Sequence, residues 1–325
     1  MACCYFSDLN SFCPDHRFED LTFCRVIGVI KLSYRNSIFH GSAAEMAALP
    51  DESVDLIFTS PPYEARKVYH TADGDIGRLR GDEFIDALKP IMEECHRVLK
   101  PSGNFFLNFQ GQYCEGRFSL TEAKIPIVAV EDIGYDYVQP FYWTKTRPKP
   151  DNYSRRLKNV NEIIYHFVKD AKHYAVYKDS VREPSRYQGH DQNCKLCGST
   201  LPGKMDKRAW KYNPKGRDPG NVIYSKGATG QGSGDTWNKA TKRPKKDIHP
   251  ALMPMELADF FVRYGSTEGD LVLDPFMGSG TTGISAARMG RDFVGYDVSN
   301  KYVGEATVRC HEARDWYEEH LRQVG

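Results

Sequence analysis

Mostly apolar runs and helically spaced apolar residues alternate along much of the chain. Residues 54–59 form a mostly apolar run that opens into a proline-containing loop, which is typical of a buried parallel strand. Over 82–99 apolar residues recur every three or four positions, which predicts an amphipathic helix. A turn at 101–103 is expected to end this helix, and 104–108 follows as a second strand. Shorter segments predict strands at 37–40, 137–144 and 162–168.

Near the C-terminus the pattern predicts a strand, a glycine-rich loop, a helix and a second strand. The strands are predicted at 271–276 and 292–297, and the helix at 281–289. Because this alternation lays parallel strands side by side with helices on both faces, the predicted fold class is α/β, with a doubly wound, mostly parallel sheet. The 325 residues are long enough for a substantial core, and no apolar run approaches the roughly 20 residues that span a bilayer.

The stretch between these two regular parts is irregular and basic. Over 181–248 glycine and proline are frequent and the apolar periodicity is lost. Over 141–250 the chain has 24 Lys and Arg residues against 10 Asp and Glu, a net charge of +14, and the remainder carries −13. We therefore predict an N-terminal extension at 1–35, a first part of the catalytic body at 36–180, a target-recognition region at 181–248 and a cofactor-binding part at 249–325.

This charge distribution predicts binding of a polyanion. Phosphate contacts supply most of the non-specific affinity for nucleic acid, and the basic stretch provides the cations that such contacts need. Aromatic and amide side chains lie among these cations and can stack on bases or read their edges, which favours nucleic acid over a solvated lysine-rich loop. The cations predicted to make the contacts are Lys204, Lys207, Arg208, Lys211, Lys242, Arg243, Lys245 and Lys246.

Residues 274–283 read Asp-Pro-Phe-Met-Gly-Ser-Gly-Thr-Thr-Gly and follow a predicted strand. These glycines, with Asp297 at the end of the next strand, fit a dinucleotide site in which the acid holds ribose hydroxyls. Asp274 in front of the glycines would repel a pyrophosphate but attract an ammonium group. S-adenosylmethionine carries such a group and is the predicted cofactor. A dinucleotide-dependent oxidoreductase and a turn without a ligand stay open at this point.

A second motif, Thr-Ser-Pro-Pro-Tyr, occupies residues 59–63. Together with the glycine-loop motif it resembles the DNA amino-methyltransferases, which alkylate the exocyclic amine of a base. The motif order, with the Ser-Pro-Pro-Tyr block first and His249-Pro250 just before the glycine loop, resembles the beta group of that family. The resemblance covers about 36–310. It implies an S-adenosylmethionine-dependent enzyme that methylates specific sites in double-stranded DNA, expected as a monomer and as part of a restriction-modification system with a cognate endonuclease.

The resemblance also implies roles for individual residues. Tyr63 would stack on a base extruded from the duplex, while Ser60 and the Pro61 carbonyl, in a block completed by Pro62, would accept hydrogen bonds from its amino group. Serine at position 60, where adenine-modifying relatives usually carry Asp or Asn, favours cytosine N4 over adenine N6, which stays the alternative. The residues expected to bind the cofactor are Gly41, Ser42, Thr59, His249, Pro250, Asp274, Phe276, Gly278, Gly280, Thr281, Thr282 and Asp297.

Other features add less to this prediction. Ser42 stands where the family pattern has an acid, and Trp143 and Glu162 are expected to be mainly structural. Cys194 and Cys197 form half of a zinc site, which needs four ligands, so no metal is predicted.

Location and the competing classes of function follow from the same sequence. Nine scattered cysteines predict reduced thiols, and residues 1–8 lack a basic segment followed by an apolar one, so a prokaryotic or phage cytosol is expected. An oxidoreductase would leave 59–63 and the basic stretch unexplained. A non-catalytic DNA-binding module would bind the cofactor without transferring a methyl group.

Overall fold

The computed structural model describes residues 34–64, 75–114, 116–146, 154–184, 213, 215–225 and 253–324. Contacts separate the chain into Met1–Tyr34 and Arg35–Gly325, and the second unit contains all the elements described below. None of the helices in the described ranges combines the length and the apolar character needed to cross a membrane.

The described strands form an eight-stranded sheet and a separate two-stranded pair. Their bounds are β1 (Ser37–His40), β2 (Val54–Thr59), β3 (Leu99–Phe109), β4 (Tyr113–Cys114), β5 (Arg117–Phe118), β6 (Asp136–Lys145), β7 (Asn161–Val168), β8 (Val222–Ser225), β9 (Leu271–Asp274) and β10 (Asp292–Asp297). The large sheet has the order β1-β10-β9-β2-β3-β7-β6-β8. The strands from β1 to β3 pair in parallel, β8 is parallel to β6, and β7 is antiparallel to both its neighbours. The predicted α/β class with a mostly parallel sheet is confirmed.

Helices cover both faces of the sheet because successive side chains of a strand point to opposite sides. The helices are α1 (Gly81–Val98), α2 (Thr121–Ile127), which continues into a π-helical turn at Val128–Ile133, α3 (Met255–Gly265), α4 (Thr281–Ala287) and α5 (Asn300–Val324). On β3, Phe106 packs against Phe261 of α3, with ring centroids 4.7 Å apart. Its neighbour Phe105 packs against Tyr135, whose hydroxyl donates to the Met92 carbonyl of α1 at 3.0 Å.

One edge of the sheet collects the ends of most strands. The parallel strands β1, β10, β9, β2 and β3 all end at this edge, and because β7 is antiparallel to β3, β7 begins there. We call it the carboxyl edge. The chain order reverses between β2 and β9, and ligands of open α/β sheets bind outside the carboxyl ends of strands at such a reversal.

The structure corrects several predicted boundaries. β3 begins at Leu99, before the predicted turn at 101–103, because Leu99 already pairs with Val54 and the register then shifts before Asn104 pairs with Leu56. The helix predicted at 281–289 ends at Ala287, ahead of a turn in which Gly290 has a φ of 76°. The helices α3 and α5 were not predicted.

Strand β8 lies inside the predicted recognition region 181–248 and pairs with β6 at the outer end of the sheet. This part of the region therefore belongs to the sheet. The rest of the predicted domain division stays a prediction.

Candidate active site

The glycine loop connects β9 to α4 and requires glycine at two positions. Gly278 has a φ of 50° and Gly280 a φ of 85°, in the left-handed region that residues with a side chain rarely adopt. Gly280 also lies against α5, where an added Cβ would be 3.1 Å from the Cβ of Ala306 and 3.2 Å from the Sγ of Cys310. The loop therefore presents backbone rather than side chains at the carboxyl edge.

Asp274 ends β9 and is almost fully buried, with 3% of its surface exposed. Its Oδ1 accepts hydrogen bonds from the Thr59 hydroxyl at 2.6 Å and from the Phe276 backbone N–H at 3.0 Å. Burial raises the pKa of Asp274 to about 6, although these hydrogen bonds and one from Thr282 act in the opposite direction. A buried carboxylate of this kind is stabilised by a bound cation.

Asp297 ends the neighbouring strand β10. Its two carboxylate oxygens accept from the backbone N–H groups of Gly278 and Ser299, each at 2.8 Å, so the acid is fixed against the glycine loop. Burial raises the pKa of Asp297, and the negative charge of Asp75 adds to this effect. The Gly41 N–H donates to the Asp297 carbonyl at 3.0 Å, which brings the end of β1 to the same place.

The other residues expected at the cofactor are placed with different degrees of access. Thr282 is buried on α4, where its hydroxyl donates to the Phe58 carbonyl at 3.3 Å, and Thr281 beside it is also buried. Phe276 is half-buried in the loop. Ser42 is exposed, and its hydroxyl accepts from the Ala44 N–H at 3.2 Å.

The residues present fit S-adenosylmethionine better than a dinucleotide. Two carboxylates at adjacent strand ends suit a ligand with an ammonium group and ribose hydroxyls, whereas Asp274 would face a pyrophosphate with the same charge. Sequence reasoning missed a third acid, Asp75, whose Oδ2 is buried without a hydrogen-bond partner and whose charge acts on Asp297. Asp75 follows residues that are not described, and no sequence signal marks it.

The Ser-Pro-Pro-Tyr block follows β2 directly, and its polar side chains form one hydrogen-bonded cluster. The Ser60 hydroxyl lies 3.4 Å from the Tyr63 hydroxyl. Asn108 of β3, 1% exposed, donates from Nδ2 to the Tyr63 hydroxyl at 2.9 Å and contacts the Ser60 Oγ at 3.3 Å. Pro61 is buried and Pro62 half-buried. The edge of the Tyr63 ring packs on Phe109, with centroids 5.4 Å apart.

Glu162, at the start of β7, completes this cluster. Its carboxylate accepts from the Tyr63 hydroxyl, from Asn108 at 2.9 Å and from the Lys145 ammonium group, and only 4% of its surface is exposed. Glu162 was expected to be mainly structural, and Asn108 was not considered. A polar residue at the carboxyl edge of an otherwise apolar strand was the signal that could have marked Asn108.

Two adjacent residues join the two halves of the site. Thr59 donates to Asp274 in the cofactor half, and Ser60 contacts Tyr63 in the other half. The predicted residues Gly41, Asp297, Asp274 and Thr59 therefore meet along the carboxyl edge with the Ser-Pro-Pro-Tyr block. Outside the described residues lie His249, Pro250, Cys194, Cys197, and the cations Lys204, Lys207, Arg208, Lys211, Lys242, Arg243, Lys245 and Lys246.

Among curated proteins, the chain is similar to DNA methyltransferases. It is 30% identical over 299 residues to the DNA adenine methyltransferase YhdJ of Escherichia coli (strain K12), which covers 89% of this chain and 87% of YhdJ. It is 29% identical over 273 residues to the Type II methyltransferase M.BglII of Bacillus subtilis, which covers 82% of this chain and 67% of M.BglII.

Solved structures give the same picture. The PvuII DNA methyltransferase (cytosine-N4-specific) shares the fold, with a TM-score of 0.61 at 23% identity, over 88% of this chain and 92% of that one. A putative DNA modification methylase from Thermus thermophilus, complexed with S-adenosyl-L-methionine, matches with a TM-score of 0.53 at 26% identity, over 86% of this chain and 95% of that one. Its ligand agrees with the cofactor predicted here from the sequence.

The family assignment rests on most of the chain. Residues 54–308 match the DNA methylase family of N6 and N4 methyltransferases, a range that contains both sequence motifs and the hydrogen bonds that join them. The resemblance drawn from those motifs is thereby confirmed, and the chain belongs to the N6/N4 DNA methylase family.

Proposed function

We propose that this DNA methyltransferase moves the methyl group of S-adenosylmethionine to the exocyclic N4 amine of a cytosine extruded from duplex DNA. The observation that carries the proposal is the junction at residues 59 and 60. Thr59 is hydrogen-bonded to Asp274 in the cofactor half, and Ser60, the next residue, faces the Tyr63 cluster. A donor held by one half and an acceptor held by the other would therefore meet at this junction.

On the cofactor side, the buried acids would hold the polar groups of S-adenosylmethionine. Asp274 would attract the ammonium group, since a bound cation stabilises its ionised form, and Asp297 would accept hydrogen bonds from the ribose hydroxyls. When bound, S-adenosylmethionine supplies a methyl group that its sulfonium already activates. The protein therefore has to position the reactants rather than activate the donor.

On the acceptor side, the difficulty is the poor nucleophilicity of the amine, whose lone pair is delocalised into the ring. Ser60 and the Pro61 carbonyl would accept hydrogen bonds from the amine and direct its lone pair toward the methyl carbon. Tyr63 would stack on the extruded base, and its hydroxyl contacts fix the ring beside Ser60. Positioning and exclusion of water can then supply the rate without a covalent intermediate.

The choice of cytosine over adenine rests on Ser60. Adenine-modifying members of the family usually carry Asp or Asn at this position, and the neutral serine hydroxyl of this chain resembles the cytosine-N4 type. The name of the PvuII structure is in line with this choice. Adenine N6 is the second candidate, because YhdJ, at 30% identity, is named a DNA adenine methyltransferase.

The biological setting belongs to the same proposal. The net charge of +14 over 141–250 supports binding of the DNA backbone by the basic stretch. The Type II name of the relative M.BglII supports a restriction-modification system, and with it a cognate endonuclease. We further propose a cytosolic monomer.

Identification of the methylated nucleoside tests the proposal. The purified chain is incubated with S-adenosylmethionine carrying a trideuterated methyl group and with DNA from a host that lacks DNA methyltransferases, and the digested nucleosides are analysed by mass spectrometry. We expect trideuterated N4-methylcytosine, and much less of it from Ser60→Ala. Labelled N6-methyladenine alone would show that the base is adenine, and no labelled nucleoside at all would contradict methyl transfer.

A further inference from the structure

A chain of hydrogen bonds runs from Ser60 into the protein. The Ser60 hydroxyl lies 3.4 Å from the Tyr63 hydroxyl, and the Tyr63 hydroxyl donates to the buried carboxylate of Glu162. Asn108 supports the chain from the side, since its Nδ2 lies 2.9 Å from both the Tyr63 Oη and the Glu162 Oε2. The family roles carried over from the sequence motifs give Glu162 and Asn108 no part in the reaction.

The chemistry of these groups fixes the direction of the chain. An ionised carboxylate only accepts, and a phenol has one hydrogen, so Tyr63 donates that hydrogen to Glu162 and must accept from its other neighbours. The Ser60 hydrogen can then point toward Tyr63. With its hydrogen directed inward, the Ser60 oxygen keeps a lone pair for a group on the opposite side.

We propose that Glu162 is a positioning residue that orients the Ser60 hydroxyl to accept from the amine of the target base. This inference rests on the proposed function, because it needs an amine donor at Ser60. It applies equally to a cytosine or an adenine, since both exocyclic amines donate hydrogen bonds.

Lys145 determines which oxygen of Glu162 serves this purpose. Its ammonium group pairs with Oε1, which leaves Oε2 for Tyr63 and Asn108. Lys145 also lies 4.9 Å from the centroid of the Trp143 ring, and the Trp143 indole N–H donates to the Ser225 hydroxyl at 2.6 Å. The edge strands β6 and β8 thus hold the lysine in place, so the two oxygens of Glu162 are not equivalent.

Glu162→Gln should reverse the hydrogen bonds without changing the shape of the site. Because Lys145 needs an acceptor, the glutamine would turn its carbonyl toward Lys145 and its NH2 group toward Tyr63. Tyr63 would then accept from the amide and donate toward Ser60, whose hydrogen would point at the incoming amine. We expect the rate of methyl transfer to fall at least tenfold, while the affinity for S-adenosylmethionine changes less than threefold.

The test is a double-mutant cycle measured by single-turnover transfer of tritiated methyl groups from S-adenosylmethionine to DNA from a methyltransferase-deficient host. The variants are Glu162→Gln, Ser60→Ala and the pair together. If both act through the Ser60 hydroxyl, the pair should be less than threefold slower than the slower single variant. Glu268→Gln is the matched control, because Glu268 accepts from the Tyr317 hydroxyl at 2.7 Å outside the site, three residues before β9. It should transfer methyl groups at the unsubstituted rate.

Tyr63→Phe keeps the ring for stacking but removes the hydroxyl link, so it provides a second variant in case Glu162→Gln folds poorly. We expect its rate to fall at least tenfold, whereas the matched Tyr317→Phe should leave the rate unchanged. Wild-type rates in Glu162→Gln or in Tyr63→Phe, or losses that multiply fully in the cycle, would overturn the inference alone. Absence of transfer by the unsubstituted protein would instead contradict the proposed function, and the inference with it.

Discussion

Burial of the Asp274 carboxylate should make the protein less stable at neutral pH while it strengthens cofactor binding. The folded-state pKa of about 6 compares with an ordinary value of 3.8. Because the folded state binds the proton more tightly, the stabilisation is fully present below about pH 4 and is lost as the pH rises through about 6. At 1.36 kcal/mol for each pKa unit, burial of the ionised group costs about 3 kcal/mol above that range.

Asp274→Asn should remove this cost because an amide does not ionise. The amide oxygen can still accept from Thr59 and from the Phe276 N–H, so the local contacts should survive. Without cofactor, we expect the free energy of unfolding to exceed that of the wild type by about 1–3 kcal/mol at pH 8, and to be equal or lower at pH 4. The affinity for S-adenosylmethionine should fall at least tenfold, since the charge that faces the ammonium group is lost.

Urea unfolding followed by circular dichroism at several pH values measures the first effect, and titration calorimetry the second. Asp132→Asn is the control, because Asp132 is exposed and pairs with Lys89 far along the chain from the site. This control should gain no stability as the pH rises. If Asp274→Asn is destabilised equally at pH 4 and pH 8, or if it binds the cofactor as tightly as the wild type, the electrostatic reasoning for the cofactor half is wrong.

Three further changes test other parts of the structure. Asp297→Ala should weaken S-adenosylmethionine binding at least tenfold in calorimetry, and tighter binding of a nicotinamide dinucleotide would contradict the cofactor assignment. Gly280→Ala should lower the free energy of unfolding by about 2 kcal/mol because φ is 85° and α5 is close, whereas Gly304→Ala, with no atom within 4 Å of the new Cβ, should cause no loss. Neutralising four cations together should flatten the salt dependence of DNA binding by roughly one unit of slope for each phosphate whose cation is removed, and an unchanged slope would mark a solvated face: Lys242, Arg243, Lys245 and Lys246.

The cofactor half was predictable because its residues are close together in the sequence. The strand, the glycine loop and the helix occupy one continuous stretch, and the acids stand where their strands end. Local periodicity and the glycine spacing therefore specify both the elements and the side of the sheet on which Asp274 and Asp297 lie.

The other half depends on pairings that no local pattern encodes. Glu162 reaches Tyr63 because β7 runs antiparallel to β3, which brings the start of β7 to the carboxyl edge. Had the two strands been parallel, Glu162 would lie at the opposite edge. The sequence indicates a strand at 162–168 but not its direction, so Glu162 was expected to be structural. Likewise, Asn108 reads as one polar position in a buried strand until its neighbours are known.

The junction between Thr59 and Ser60 is tested most directly by one titration of the single-turnover methylation rate against S-adenosylmethionine concentration, for Thr59→Val beside Ser60→Ala. Thr59→Val removes the hydrogen bond to Asp274, so the half-saturating cofactor concentration should rise about tenfold while the maximal rate changes little. Ser60→Ala should do the reverse, with a maximal rate about tenfold to a thousandfold lower and an unchanged half-saturating concentration. If both variants alter the same parameter, the cofactor and the target base do not meet between these two residues.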